Sequence, residues 1–353
     1  MLGRFFHSWE RRLAAATKDR VIRPFEWGVD WLSPNGSAGL PPDVHVERWV
    51  EEVMRDTSAF FDAGQTSDYD FAASDVHAAR KGEAGTLRFP SALVTPHSEN
   101  NTVVARWFPA EGEASTASRP GRGRAVVVLP QWNSDAEGHV GLSRLLARFG
   151  VSALRVTLPY HDARMPQELR RADYIVSSNV VRTVQVCRQA VMDARRAVAW
   201  LASLGFERIG ILGTSLGSCL AMLTSAHEPR IRAQALNHVS PWFADVVWRG
   251  LSTRHVRQGL EGHIDLERLR HLWRPISPYC HLDRVRRTET LLVYAAYDLT
   301  FPVDLSKMLI DEFRRRKLPH QVAMLPCGHY STGSAPFKFF DGYVLTRFLL
   351  RKL

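Results

Sequence analysis

The chain is poor in lysine and cysteine, and it has no long apolar run. Lysine supplies only six of its 46 basic residues (Lys18, Lys81, Lys307, Lys317, Lys338 and Lys352), so arginine carries the positive charge. Against 36 acidic residues the balance is +10, which suits an anionic partner without naming one. The pairs Arg11-Arg12, Arg170-Arg171, Arg195-Arg196 and Arg286-Arg287 are scattered. The densest run, Arg314-Arg315-Arg316-Lys317, ends a helical pattern, where cations oppose the negative pole of the helix. No zinc-finger spacing, basic-zipper heptad or RNA-binding aromatic motif accompanies these charges. The reading is a solvated arginine-rich surface and no nucleic-acid partner. The four cysteines (Cys187, Cys219, Cys280 and Cys327) lie far apart with no C-x-x-C pair. That spacing argues against a disulfide framework and for a reducing, cytoplasmic compartment. With no stretch of about 18 uninterrupted apolar residues, no helix is expected to span a membrane. H-E-x-x-H and paired Cys/His spacings are also missing, so no metal site is read.

What is present is an ordinary globular composition, 45% hydrophobic, 23% charged and 10% aromatic. Residues 1–31 have no apolar core or small-residue cleavage site of a signal peptide. Leu2, Phe5, Phe6, Trp9 and Leu13 recur at helical spacing with Arg4, Arg11 and Arg12 between them. Such a stripe suits a membrane surface, but packing on the protein's own core or on a second copy is preferred, with the oligomeric state left open. Residues 46–61 read as another amphipathic helix, and residues 1–85 as a helical extension. From residue 86 the pattern changes to strands at 86–95 and 101–108, followed by a small, polar, mobile surface loop at 110–124.

Strict alternation follows. Ala125, Val126, Val127, Val128 and Leu129 form a short, wholly apolar run suited to a strand buried on both faces. Further strands are expected at 153–158, 209–212, 233–239, 290–295 and 321–325, with helices at 138–149, 180–201, 216–227, 305–316 and 337–350. Doubly buried strands separated by helices imply an α/β fold with a mostly parallel sheet covered on both faces, over residues 86–353. Residues 241–288 form one long interval between two strands, carrying Trp242, Trp248 and Trp273. An insertion of that size reads as a helical lid whose tryptophans roof an apolar pocket.

Chemistry concentrates at strand ends. Gly213-Thr214-Ser215-Leu216-Gly217 leaves one strand and enters a helix, a G-x-S-x-G turn that presents a serine on a sharply bent backbone. The helix start offers free N–H groups and a positive dipole end to a developing oxyanion. A nucleophilic serine needs a base, and the base needs an orienting carboxylate. Tyr297-Asp298 follows the strand at 290–295, and Pro326-Cys327-Gly328-His329 follows the strand at 321–325. Ser215, Asp298 and His329 thus fall in order on one sheet edge, where open α/β sheets bind ligands. Asp245 is the alternative acid, although capping of a lid helix suits it better. Tyr160-His161-Asp162 ends another strand at this edge, as pocket lining or as surface loop. His255, His263, His271 and His281 populate the insertion.

These motifs, GTSLG, YAAYDLTFP and PCGHY, make the chain resemble the α/β-hydrolase superfamily of serine hydrolases. More loosely, the helical prelude with the PYHDARMP and PCGHY segments resembles bacterial members of abhydrolase family eighteen. The resemblance implies an oxyanion hole built from the amide of Leu216 and one from the loop after Leu129. Many relatives have His-Gly there; this chain has Pro130-Gln131-Trp132-Asn133. Trp132 stands at the donor position, with Gln131 as its neighbour, and its bulk would disfavour long or branched acyl groups. The expectation is a cofactor-free serine carboxylesterase acting on small-molecule acyl esters, preferably short-chain. The alternatives are a lipid deacylase or thioesterase at a membrane surface, and a catalytically idle binding scaffold.

Overall fold

The computed structural model describes residues 2–32, 40–110 and 123–353. Residues 111–122, most of the expected surface loop, lie outside that set. Among the described residues the strands are β1 (Asp70–Ala73), β2 (Gly85–Pro90), β3 (Thr102–Phe108), β4 (Arg124–Leu129) and β5 (Ser152–Val156). They continue with β6 (Arg208–Thr214), β7 (Ile231–Asn237), β8 (Glu289–Ala295) and β9 (His320–Leu325). All join one sheet in the order β1-β2-β3-β5-β4-β6-β7-β8-β9. The pairings from β1 to β5 through β3 are antiparallel, and those from β5 to β9 are parallel.

The apolar run of β4 explains the layering. Side chains alternate across a strand. Val127 and Leu129 accordingly pack with the helices Val180–Ser203 and Leu216–His227, whereas Val126 and Val128 pack with Phe108, Leu146 and Leu345 on the other face. At about 25 cal/mol per Å² of apolar surface removed from water, these two layers are the main stabilising term.

Register sets the site. Leu129 lies opposite Gly213, Thr214 opposite Asn237, Asn237 opposite Val293, and Ala295 opposite Leu325. The segments that follow β4, β6, β7, β8 and β9 therefore emerge in one row at the carboxyl edge.

Several elements differ from expectation. β1 adds a strand inside the stretch read as helical, so the sheet begins before residue 86. The strand expected at 86–95 ends at Pro90. The helix expected at 46–61 divides into Pro42–Arg55 and Thr57–Phe60, because the Asp56 carboxylate accepts the amides of Ser58 (3.1 Å) and Ala59 (3.0 Å) and starts a new turn. In the helix Leu2–Ala15 the buried residues are Phe6, Glu10 and Ala14, while Leu2 and Phe5 remain exposed.

The insertion at 241–288 consists of the short helices Phe243–Arg249, Arg254–Leu260 and Leu266–Leu272 and two 3₁₀ segments. Its tryptophans do not make a common roof: of the three, Trp242 alone lines the large cavity at the carboxyl edge. Trp273 is fully buried and donates to Val180 O (3.1 Å), Trp248 lies under Arg257 (5.4 Å), and Trp242 stacks on Tyr279 (4.5 Å). No described helix is long and apolar enough to cross a membrane.

Candidate active site

Ser215 sits between β6 and the helix Leu216–His227 with φ 57° and ψ −119°. A non-glycine residue rarely adopts positive φ, and the conformation costs on the order of 1–3 kcal/mol. It is held by the Ser215 amide, which donates to Asn237 O (2.8 Å). The flanking glycines permit the bend: a Cβ on Gly213 would meet Gly217 O at 2.0 Å, and one on Gly217 would meet Leu129 O at 2.3 Å. Ser215 opens onto a cavity of about 1460 Å³, also lined by His329, His238, Trp132, Gln131 and Thr214.

Asp298 follows β8 and is buried, with four donors. Its Oδ1 accepts the amides of Thr300 (2.8 Å) and Phe301 (2.7 Å). Its Oδ2 accepts His329 Nδ1 (3.0 Å) and, from a residue the sequence reading missed, His238 Nδ1 (2.8 Å). Burial pushes the Asp298 pKa up, but the His329 charge and the histidine hydrogen bonds outweigh it and hold the carboxyl well below its usual range. The two imidazoles lie 4.3 Å apart between centroids. His238, immediately after β7, is buried with φ 59°, and burial followed by the His329 charge lowers its pKa. His329 stacks on Phe301 at 5.4 Å. Among the described residues Ser215 Oγ makes no hydrogen bond to His329. Such contacts often tighten only with substrate bound.

His238, Asp298 and His329 also offer ligand atoms within 4.8 Å of one another, the one such group among the described residues. Both histidines hydrogen-bond the same Asp298 oxygen.

The Leu216 N–H, at the start of its helix, has no protein partner among the described residues. In the facing loop the Asn133 amide donates to His161 Nε2 (2.9 Å), which leaves Gln131 and Trp132 as the available donors. His161 is the prop of this loop. Burial pushes its pKa down to about 4, and its Nδ1–H donates to Pro159 O (2.8 Å), which leaves Nε2 to accept. Trp132 is pinned in turn: its Nε1–H donates to Ala172 O (2.8 Å), its ring stacks on His255 (5.7 Å), and Arg171 covers it at 5.4 Å.

A second support comes from far away in sequence. Glu10, on the buried face of Leu2–Ala15, accepts the amides of Tyr330 (2.8 Å) and Ser331 (2.9 Å), directly after His329. A carboxylate at a buried position of an amphipathic helix is the signal that would have found it. The alternative acid, Asp245, lies in the first turn of Phe243–Arg249 and pairs with Arg270 (2.6 Å for one of two bonds), not with His329. Of the other histidines, His281 bonds His227 (3.1 Å), His263 stacks on Phe25 (4.8 Å), and His271 meets Glu51 (3.4 Å).

The architecture recurs widely among solved structures. An acetyl xylan esterase from Paenibacillus sp. R4 superposes with a TM-score of 0.61 at 14% identity, over 91% of this chain and 96% of that one. Acetyl xylan esterase 1 from Thermoanaerobacterium sp. gives 0.58 at 12% identity, over 90% and 95%. An acylaminoacyl peptidase from Pyrococcus horikoshii gives 0.57 at 16% identity, over 71% of this chain and 40% of that one. This protein has the α/β-hydrolase fold. It spans about two fifths of the Pyrococcus horikoshii peptidase chain (40%). No family model and no curated protein matches the sequence. In α/β-hydrolase terms, Ser215 stands at the strand-to-helix elbow, with Asp298 and His329 on the loops after β8 and β9.

Proposed function

We propose that the protein is a serine hydrolase that cleaves carboxylic esters through an acyl-enzyme on Ser215. Ser215 Oγ attacks the acyl carbon as His329 Nε2 takes the hydroxyl proton. Asp298, accepting from His329 Nδ1 (3.0 Å), keeps the ring in that tautomer and balances the imidazolium. The displaced carbonyl electron pair resides on oxygen, stabilised by the Leu216 amide and one from Trp132 or Gln131. Collapse of the intermediate expels the alcohol, which takes the proton from His329. Water, deprotonated by the same ring, then releases the acid. His238 is a positioning residue that holds the same Asp298 oxygen (2.8 Å). No step calls for a cofactor.

The observation that carries this reading is the positive-φ Ser215 on the cavity that His329, paired to the buried Asp298, also lines. Two neighbours over most of both chains are acetyl xylan esterases, which supports ester chemistry. The pinned Trp132 is a stiff wall beside the oxyanion loop and favours short acyl groups, with the remainder of the cavity, about 1460 Å³ in all, left to the alcohol. A cytoplasmic setting belongs to this reading, since all four cysteines are free. Lipid deacylation or thioester cleavage at a membrane surface is the second reading, favoured by the exposed Leu2 and Phe5.

A panel of acyl esters from acetyl to palmitoyl, with phospholipid and peptide substrates beside it, tests the proposal. Faster turnover of butyryl than palmitoyl esters is expected. The reverse order would favour the lipid enzyme, and no hydrolysis by the folded protein would leave the idle scaffold.

A further inference from the structure

The face around the cavity mouth is a feature that ester chemistry leaves unused. Leu2 (66% exposed) and Phe5 (61%) project from the helix Leu2–Ala15, and Phe339 (68%), Phe340 (46%) and Tyr343 (54%) from the helix Phe337–Lys352. Single exposed apolar residues need no explanation, but several large ones on neighbouring elements mark an interaction site. The two helices meet through aromatic contacts, with Phe337 at 5.9 Å from Phe6 and 6.5 Å from Trp9. The cavity that holds Ser215 reaches the same place, since Lys18, Arg20, Lys338 and Phe339 line it.

The two segments that carry these aromatics are strongly basic, while the exposed Asp135, Glu137 and Asp162 line the cavity elsewhere. Residues 2–20 and 337–352 carry nine basic and three acidic side chains. None of the acids is free to balance that excess at the surface. Glu10 is buried under the His329 loop, Asp19 pairs with Arg171 (2.9 Å), and Asp341 is turned toward Asn237 (2.9 Å). Arg4, Arg11, Arg12, Lys338 and Arg347 are exposed among the aromatics.

We propose that this face seats the protein on an anionic lipid bilayer, with Leu2, Phe5 and Phe340 entering the headgroup boundary and the surrounding arginines and lysines on lipid phosphates. Apolar side chains beside a cationic rim are the pattern of interfacial attachment. A second copy of the chain fits less well. In a two-fold contact the same patch meets itself, so the cationic rim would face its own kind and the cavity mouth would be closed. Attachment stands independently of the acyl-enzyme reading. That the bound surface also supplies the substrate, an ester-bearing amphiphile, rests on it.

The test is co-sedimentation of the full chain with phosphatidylglycerol vesicles and with phosphatidylcholine vesicles, repeated for Ser215→Ala so that binding is read apart from hydrolysis. The expected result is at least about tenfold stronger partitioning to phosphatidylglycerol, reduced by high salt. The double variant Phe5→Ser/Phe340→Ser should lose about tenfold of it while hydrolysing a water-soluble ester at the parent rate. A charge variant, Arg4→Glu/Arg11→Glu, should lose it as well, which keeps the proposal testable if the aromatic variant misfolds. Equal partitioning to both lipids, or none to either, would overturn the proposal. So would a concentration-dependent dimer, in sedimentation velocity, that Phe5→Ser/Phe340→Ser abolishes.

Discussion

The turn after β7 and the loop after β9 each aim a histidine at the same oxygen of Asp298, yet they are built differently. His238 is held by its own backbone: its amide donates to Val293 O (3.0 Å), its carbonyl accepts Ser218 Oγ (2.7 Å), and its side chain is 2% exposed. His329 is held from outside, by Glu10 on the two amides that follow it, and its side chain is 12% exposed on the cavity wall. The difference separates two tasks. A ring locked by its own strand end suits fixing a carboxylate. A ring on a braced loop at the cavity wall suits proton transfer.

The sharpest way to break this comparison is to remove each ring in turn. His329→Ala and Asp298→Asn should each lower kcat about 10³–10⁴-fold, as loss of the base or of its tautomer does in other triads. His238→Ala should cost only about tenfold, because a positioning group acts through another residue. Equal losses at the two histidines would make them interchangeable and dissolve the distinction. A finer measurement is the conservative variant. Glutamine offers Asp298 an N–H donor that alanine lacks, so His238→Gln should recover part of the kcat lost in His238→Ala with KM little changed. Equal kcat in the two variants would reduce His238 to packing.

Glu10→Gln probes the brace. An amide can accept only one of the two N–H bonds, and the lost bond should cost about 1–2 kcal/mol in chemical denaturation with a few-fold fall in kcat. The smallest effect on activity belongs to Asp245→Asn, which should leave kcat within about twofold because Asp245 meets Arg270 and not the histidines. A large kcat loss there would move the acid to Asp245.

Much of the fold was readable from sequence because its signals are local. The run Ala125–Leu129 announces a doubly buried strand, and GTSLG, YAAYD and PCGHY each end a strand in this structure. What escaped depends on tertiary neighbours. His238 carries no motif, and its meeting with Asp298 comes from β7 lying beside β8. Glu10 lies 320 residues from Tyr330, and only the docking of its helix joins them. β1 is four residues long and exposed, too short and too weakly patterned to read as a strand. Trp273 was read as roof and is core, because a tryptophan's spacing says nothing about which side of an insertion faces the sheet.

The central claim is that Ser215 is the nucleophile. Reaction of the intact chain with a fluorophosphonate, followed by peptide mass spectrometry, addresses it most directly. One adduct per chain, on the peptide containing Ser215 and absent from Ser215→Ala, is the predicted result. Labelling at another residue, or labelling that persists in Ser215→Ala, would contradict it.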